Sequence, residues 1–258
     1  MPRQVVVTGA ASGIGAATAA MLTAQGDEVI GVDQHNVDIV ADLSARGGRA
    51  QAVAEVLERT GGVIDAVVAC AGTSLLSPQD IKVNFFGVVE ILEGLRPALT
   101  EASAPRVSVT ASISSTQQTD PDVVAACLDL DEQRAVAIAE KVHAEGRGNQ
   151  LYASSKNALA RWLRRTAITD DWAAAGIPLN AVGPGVVRTP MTAELRSSAQ
   201  GMAMMKRAVP SKLGGWMEPE VIADVLVWLV RPGNTHTTAQ LIFIDGGAEA
   251  VVRGEEAF

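Results

Sequence analysis

A single tyrosine, two cysteines and three histidines in 258 residues leave this sequence poor in the side chains that ligate metals or form redox pairs. Cys70 and Cys127 make no CxxC pair and no Cys/His cluster, which argues against a disulfide framework, a zinc ribbon and a thioredoxin-type site. His35, His143 and His236 are scattered, so a metal-free, reducing interior is expected. Aromatic residues reach only 3%, and a core has to be assembled mainly from aliphatic side chains. Basic residues are also outnumbered: 21 against 29 acidic ones give a net charge of −8, and such a surface repels both a phosphate backbone and an anionic membrane. The most apolar late stretch, 221–230, is short and broken by Asp224, and the chain enters its first apolar run at Gln4 without a signal-peptide pattern. The expectation is a cytoplasmic protein acting on a small molecule, with no nucleic acid and no membrane as partner.

What is present is material for a full core, 48% hydrophobic residues against 19% charged, in an order of elements that alternates. A β-branched run at 5–8 leads through the glycine-rich 9–15 into an alanine-rich helix. Strands at 28–33, 66–70, 106–110, 177–182 and 240–244 then alternate with helices at 49–60, 81–99, 151–175 and 218–230. Such alternation predicts one α/β domain, a Rossmann-type doubly wound parallel sheet with helices on both faces. Two segments depart from it. A strand-like stretch at 37–40 follows the previous strand too closely for an ordinary parallel crossover, so that edge should be short or irregular. The segment 116–150, helical around 131–144, reads as an excursion from the sheet.

Chemistry concentrates at the strand ends. Gly9, Ser12, Gly13, Ile14 and Gly15 join the first strand to the first helix, where backbone N–H groups and the helix dipole can hold a pyrophosphate. Asp33 ends the next strand, where a carboxylate accepts from an adenosine ribose and repels a 2′-phosphate; the turn also lacks a basic residue, so NAD is favoured over NADP. Tyr152 and Lys156 stand four apart on a predicted helix and project from one face. A nearby ammonium stabilises a phenolate, so Lys156 is expected to lower the ionisation of Tyr152 toward a range useful for proton transfer.

The motifs T-G-x-x-x-G-x-G, C-A-G, V-N-F-F-G, Y-x-x-S-K, P-G-x-V-x-T and a closing D-G-G occur in one order along essentially the whole chain, which resembles the short-chain dehydrogenase/reductase family. The resemblance implies that Ser112, with Ser114 as second choice, hydrogen-bonds the substrate oxygen, and that Asn84 holds a water linking Lys156 to solvent. It further implies that Asp42 and Leu43 meet the adenine, that Ala71 and Gly72 line the adenosine side, and that Pro184, Gly185, Val187 and Thr189 surround the nicotinamide. Cys70 departs from the family's usual asparagine and is expected to loosen that strand end slightly. The forty residues from Ser112 to Tyr152, together with the A-D-L-S and D-G-G-A-E-A-V-V-R segments, are similar to the bacterial 3-alpha-hydroxysteroid dehydrogenase/carbonyl reductase subgroup.

Residues 190–210 carry Met191, Leu195, Met202, Met204 and Met205, an adaptable apolar lid suited to an alicyclic alcohol or ketone. Two alternatives stay open: a reductase of non-steroid carbonyls or cyclic terpenoid alcohols, and a non-catalytic NAD-binding sensor or scaffold. The family resemblance implies a homodimer or homotetramer, and the excursion at 116–150 favours the dimer.

Overall fold

The alternating runs of β-branched and alanine-rich sequence become alternating strands and helices in the computed structural model, which describes residues 2–255. In chain order these are β1 (Gln4–Thr8), α1 (Gly13–Ala24), β2 (Glu28–Asp33), β3 (Ile39–Val40), α2 (Arg46–Thr60) and β4 (Ala66–Ala69). Next come α3 (Pro78–Ile81), a π-helical segment (Lys82–Gly87), α4 (Val88–Thr100), β5 (Arg106–Thr110), α5 (Pro121–Leu128), α6 (Glu132–Ala144) and α7 (Asn149–Thr166). The chain then forms β6 (Leu179–Pro184), α8 (Pro190–Arg196), α9 (Ala199–Ala208), α10 (Pro219–Leu229), β7 (Leu241–Ile244) and α11 (Ala248–Arg253).

All the strands are parallel and stand in the order β3-β2-β1-β4-β5-β6-β7. Because side chains alternate along a strand, Val6, Val67, Val107 and Val109 join one buried cluster with α2, α4 and α7, while Val5, Val7, Ala66 and Val68 join another with α1 and α10. Both faces are covered, which is why these strands read as continuous apolar runs rather than alternating ones.

The edge strand β3 has two residues, as its close spacing to β2 requires. The link is closed by Asn36 in a left-handed conformation (φ 56°) and by the Gly31 amide, which donates to the Asp38 carboxylate at 2.8 Å. The helix expected at 81–99 is broken in register by the π segment, a feature that side-chain periodicity does not reveal. The helix expected at 151–175 ends at Thr166, and a separate π turn (Asp170–Ala174) buries Trp172 before β6. The excursion at 116–150 contains two helices where one was expected. The additional one, α5, is capped by Asp120, whose carboxylate accepts the Asp122 and Val123 amides at 3.1 and 3.2 Å.

Candidate active site

The sheet order reverses between β1 and β4, and a cavity of about 270 Å³ opens there at the carboxyl ends of the strands. Gly9, Asp33, Cys70, Ala71, Gly72, Thr110, Ser112, Pro184 and Gly185 reach it from the ends of five strands, and Tyr152 and Lys156 reach it from α7.

One end of the cavity is made of backbone. Gly9 has φ +72°, and a Cβ on it would stand 2.8 Å from the Ala71 nitrogen. A Cβ on Gly15 would stand 2.1 Å from the Gly9 carbonyl oxygen, so any larger residue pushes α1 off β1. Ser12 caps α1 in extended geometry without a side-chain cap bond, and Ser12, Gly13, Ile14 and Gly15 all line the cavity. The first-turn amides of α1 are therefore available to an anion. At the rim, the Asp33 carboxylate accepts the Ala11 amide at 3.0 Å and the Gln34 amide at 2.6 Å. Among the cavity's lining residues Lys156 is the only lysine or arginine, and it belongs to the opposite end.

Asp42 stands beside the cavity rather than in its lining. Ala41 and Leu43 line the cavity, whereas the exposed Asp42 carboxylate accepts the Ser44 amide at 2.9 Å and the Gln34 Nε2 at 3.3 Å. Local capping by the Ser44 hydroxyl and amide holds its carboxyl below the usual range, and the side chain braces the turn at the cavity's edge.

The other end is made of side chains. The Lys156 ammonium donates to the Thr110 carbonyl at 2.9 Å, and burial pushes it down to about 8. Tyr152 does not show the lowered ionisation that Lys156 was expected to produce. Burial pushes its phenol up, the adjoining Ser112 hydroxyl works in the opposite direction, and the Asp80 charge adds to the rise. Desolvation of the phenolate is the largest of these effects and outweighs the hydrogen bond with Ser112. Ser112 caps the short turn Ile113–Thr116, its Oγ accepting the Ser114 amide at 3.1 Å. Ser114 thus supports Ser112 and is not among the cavity's lining residues.

Asn84 lies in the π segment, fully buried behind the cavity wall. Its Oδ1 accepts the Thr73 amide at 2.8 Å, and its Nδ2 donates to the Thr73 carbonyl at 2.9 Å and to Ser155 Oγ at 3.1 Å. Cys70 does not loosen its strand end: the Thr110 hydroxyl donates to its Sγ at 3.3 Å across β4 and β5. Burial pushes that thiol up to about 11, which favours the protonated form at neutral pH.

Sequence reasoning missed Thr73, Val83 and the Thr110 carbonyl. Thr73 lies in no motif and the Thr110 group is backbone; Val83, by contrast, opens V-N-F-F-G, Ser155 sits inside Y-x-x-S-K, and both were within reach. Of the five apolar side chains read as a lid, Met191 alone lines the cavity, beside Pro184, Gly185, Val187 and Thr189. Met202 faces a separate outer depression of about 1020 Å³, where Arg188 lies over the Trp216 ring at 6.0 Å.

Residues 9–249 match the family profile described as enoyl-(acyl carrier protein) reductase. The chain is 36% identical to the 3-alpha-hydroxysteroid dehydrogenase/carbonyl reductase of Comamonas testosteroni, over 96% of this chain and 97% of that protein. The chain belongs to the short-chain dehydrogenase/reductase family, and it is an oxidoreductase. It is also 28% identical to the cis-4-hydroxycyclohexanecarboxylate dehydrogenase of Sinomonas cyclohexanicum, over 96% and 97% of the two chains. Among solved structures, the 3-alpha-hydroxysteroid dehydrogenase from Pseudomonas sp. B-0831 complexed with NADH is similar at a TM-score of 0.90. That likeness has 38% identity and covers 98% of this chain and 99% of the other.

Proposed function

We propose that this family member is an NAD(H)-dependent enzyme interconverting a secondary alcohol and a ketone, with an apolar alicyclic compound of the hydroxysteroid type as substrate. The observation that carries the reading is one cavity with the uncapped N-terminus of α1 and Asp33 at one end, and Ser112, Tyr152 and Lys156 at the other. The residues fit NAD: amides for a pyrophosphate, glycines where a Cβ has no room, and a carboxylate without a basic neighbour where a 2′-phosphate would sit. Gly9, Ser12, Gly13, Ile14 and Gly15 would hold the pyrophosphate, Asp33 the ribose, Leu43, Ala71 and Gly72 the adenosine side. Pro184, Gly185, Val187 and Thr189 would hold the nicotinamide. NAD supplies the hydride acceptor, and NADH the donor.

The protein's own part is proton transfer and orientation. In oxidation Tyr152 takes the hydroxyl proton of the substrate at its phenolic oxygen; in reduction it returns that proton to the carbonyl oxygen. Ser112 holds the same oxygen by a hydrogen bond. Lys156, seated on the Thr110 carbonyl, offers positive charge to the phenolate, and Asn84 keeps the Thr73 wall in place behind it. The steroid is supported by the 36% and 38% identities to 3-alpha-hydroxysteroid dehydrogenases and by Met191 at the cavity mouth. A smaller cyclic alcohol is the second reading, supported by the likeness to a hydroxycyclohexanecarboxylate dehydrogenase.

The test is absorbance of reduced nicotinamide with NAD and NADP separately, against 3α-hydroxysteroids and substituted cyclohexanols, with Tyr152→Phe alongside. The expected result is steroid oxidation with NAD and a loss of about 10²–10⁴-fold in Tyr152→Phe. Turnover of cyclohexanols alone would discard the steroid, and NAD binding without turnover of any alcohol would leave a non-catalytic binder.

A homodimer is supported by α5 and α6 lying over α7, where they cover a long-helix face that would otherwise be open to a partner. A light-scattering mass near four times 26.8 kDa would overturn it. No helix among the described residues is long and apolar enough to cross a membrane, and a cytoplasmic location goes with this reading.

A further inference from the structure

Behind the cavity wall, a chain of hydrogen bonds leads to a carboxylate that the mechanism does not use. Asp80, in α3, is fully buried. Its Oδ1 accepts the Thr73 hydroxyl at 2.8 Å and the Leu75 amide at 2.9 Å, and its Oδ2 accepts the Ser77 amide at 3.4 Å. Thr73 is gripped at both backbone groups by Asn84, which donates to Ser155 Oγ, and the Ser155 hydroxyl donates to the Tyr152 carbonyl at 2.7 Å. Asp80, Thr73, Asn84, Ser155 and the backbone of Tyr152 therefore form one continuous network.

Helix capping alone does not call for a buried charge at this place. Asp80 caps α3 through the Ser77 amide, but its two shorter bonds go to Thr73 and Leu75 in the loop that walls the cavity. These partners are neutral donors, and a buried carboxylate so placed is costly. The α7 side of α3 carries Tyr152 and Lys156, both of which sense the charge of Asp80. On the α6 side His143 contacts the Leu76 carbonyl through Nδ1 at 3.1 Å, Glu140 and Lys141 are exposed, and Lys82 opens the π segment that follows α3.

We propose that Asp80 is a positioning residue for the Tyr152 and Lys156 pair: its carboxylate anchors the Thr73, Asn84 and Ser155 wall behind them, and its charge opposes the phenolate while favouring the ammonium. The catalytic meaning of this rests on the dehydrogenase reading; the charge coupling does not.

Because Tyr152 is the only tyrosine in the chain, its ionisation can be followed directly in the free protein by the ultraviolet band of tyrosinate, with rapid pH jumps that outrun unfolding. Asp80→Asn removes the negative charge with little change of shape, and its midpoint is expected about half a unit to one unit below that of the wild type. Tyr152→Phe abolishes the signal and identifies it. A folded Asp80→Asn protein whose midpoint stays within about 0.2 units of the wild type overturns the proposal. If that variant does not fold, Asp80→Ser carries the same expectation and the same overturning result. In steady-state oxidation the ascending limb of the kcat profile moves to lower pH in Asp80→Asn, while KM for NAD stays within about twofold; an unmoved limb counts against the proposal. A wild type that oxidises no alcohol would end the dehydrogenase reading, and the tyrosinate titration would still decide the coupling.

Discussion

Two helical segments of this chain, the one between β5 and α7 and the one between β6 and α10, differ in what they bury. The excursion between Ser112 and Tyr152 folds into α5 and α6, and Val123, Val124, Ala126, Cys127, Ala135, Ala139 and Val142 extend the main core. It is also held by charge. Arg49 of α2, with 1% of its side chain exposed, bridges Glu90 of α4 at 2.8 Å and Glu132 of α6 at 2.6 Å. The segment that forms α8 and α9 is different. No residue of α8 is buried, and α9 buries only Gly201 and Met205, while Met191, Leu195, Met202 and Met204 stay exposed. A segment that meets the core becomes part of the fold, and one that meets little of it is expected to have the lower local stability.

The sharpest way to break this comparison is Arg49→Met. It leaves two partly exposed carboxylates facing each other and removes a buried cation, with an expected loss of about 3 kcal/mol in urea unfolding at unchanged slope. A loss below about 1 kcal/mol would mean that α6 is a surface addition after all.

Next in size is Lys156→Met, on the helix that α5 covers. Burial takes the ammonium from 10.5 in a free chain to about 8 in the fold. Between these values the unfolded chain binds more protons, so wild-type stability rises with pH across that window, and the penalty for the buried charge is full below about 8. The variant is therefore expected to be more stable than the wild type by on the order of 2 kcal/mol at neutral pH, an advantage that fades toward 10.5, while turnover collapses. A pH-independent gain would show that packing, rather than charge, is responsible.

The smallest effect belongs to α8. Met191→Ala should change stability by less than about 0.5 kcal/mol, and raise KM for an apolar substrate several-fold with kcat nearly constant. A stability loss like that of Arg49→Met would remove the distinction between the two segments.

Much of this was legible in the sequence. The doubly wound sheet follows from the order of β-branched and alanine-rich runs, and the cofactor end of the site from Gly9, Gly15 and Asp33, because it is built from backbone and strand ends whose chemistry is local. Tyr152 and Lys156 were legible for the same reason, being neighbours on one helix. The local bonding of Asp42 was not legible, because a motif position does not say which way a side chain turns, and its carboxylate accepts the Ser44 amide. Cys70 misled because its partner, Thr110, lies on the adjacent strand.

What the sequence by itself determined was the architecture, the glycine turn after β1 and the placing of Tyr152 and Lys156 at one cavity, since each depends on residues close in the chain. Only the tertiary structure decided that burial raises Tyr152 and lowers Lys156, that Asp80 and Asn84 stand behind them, and which inserted segment joins the core. Desolvation and cross-element hydrogen bonds are set by residues that the chain keeps far apart and only folding brings together.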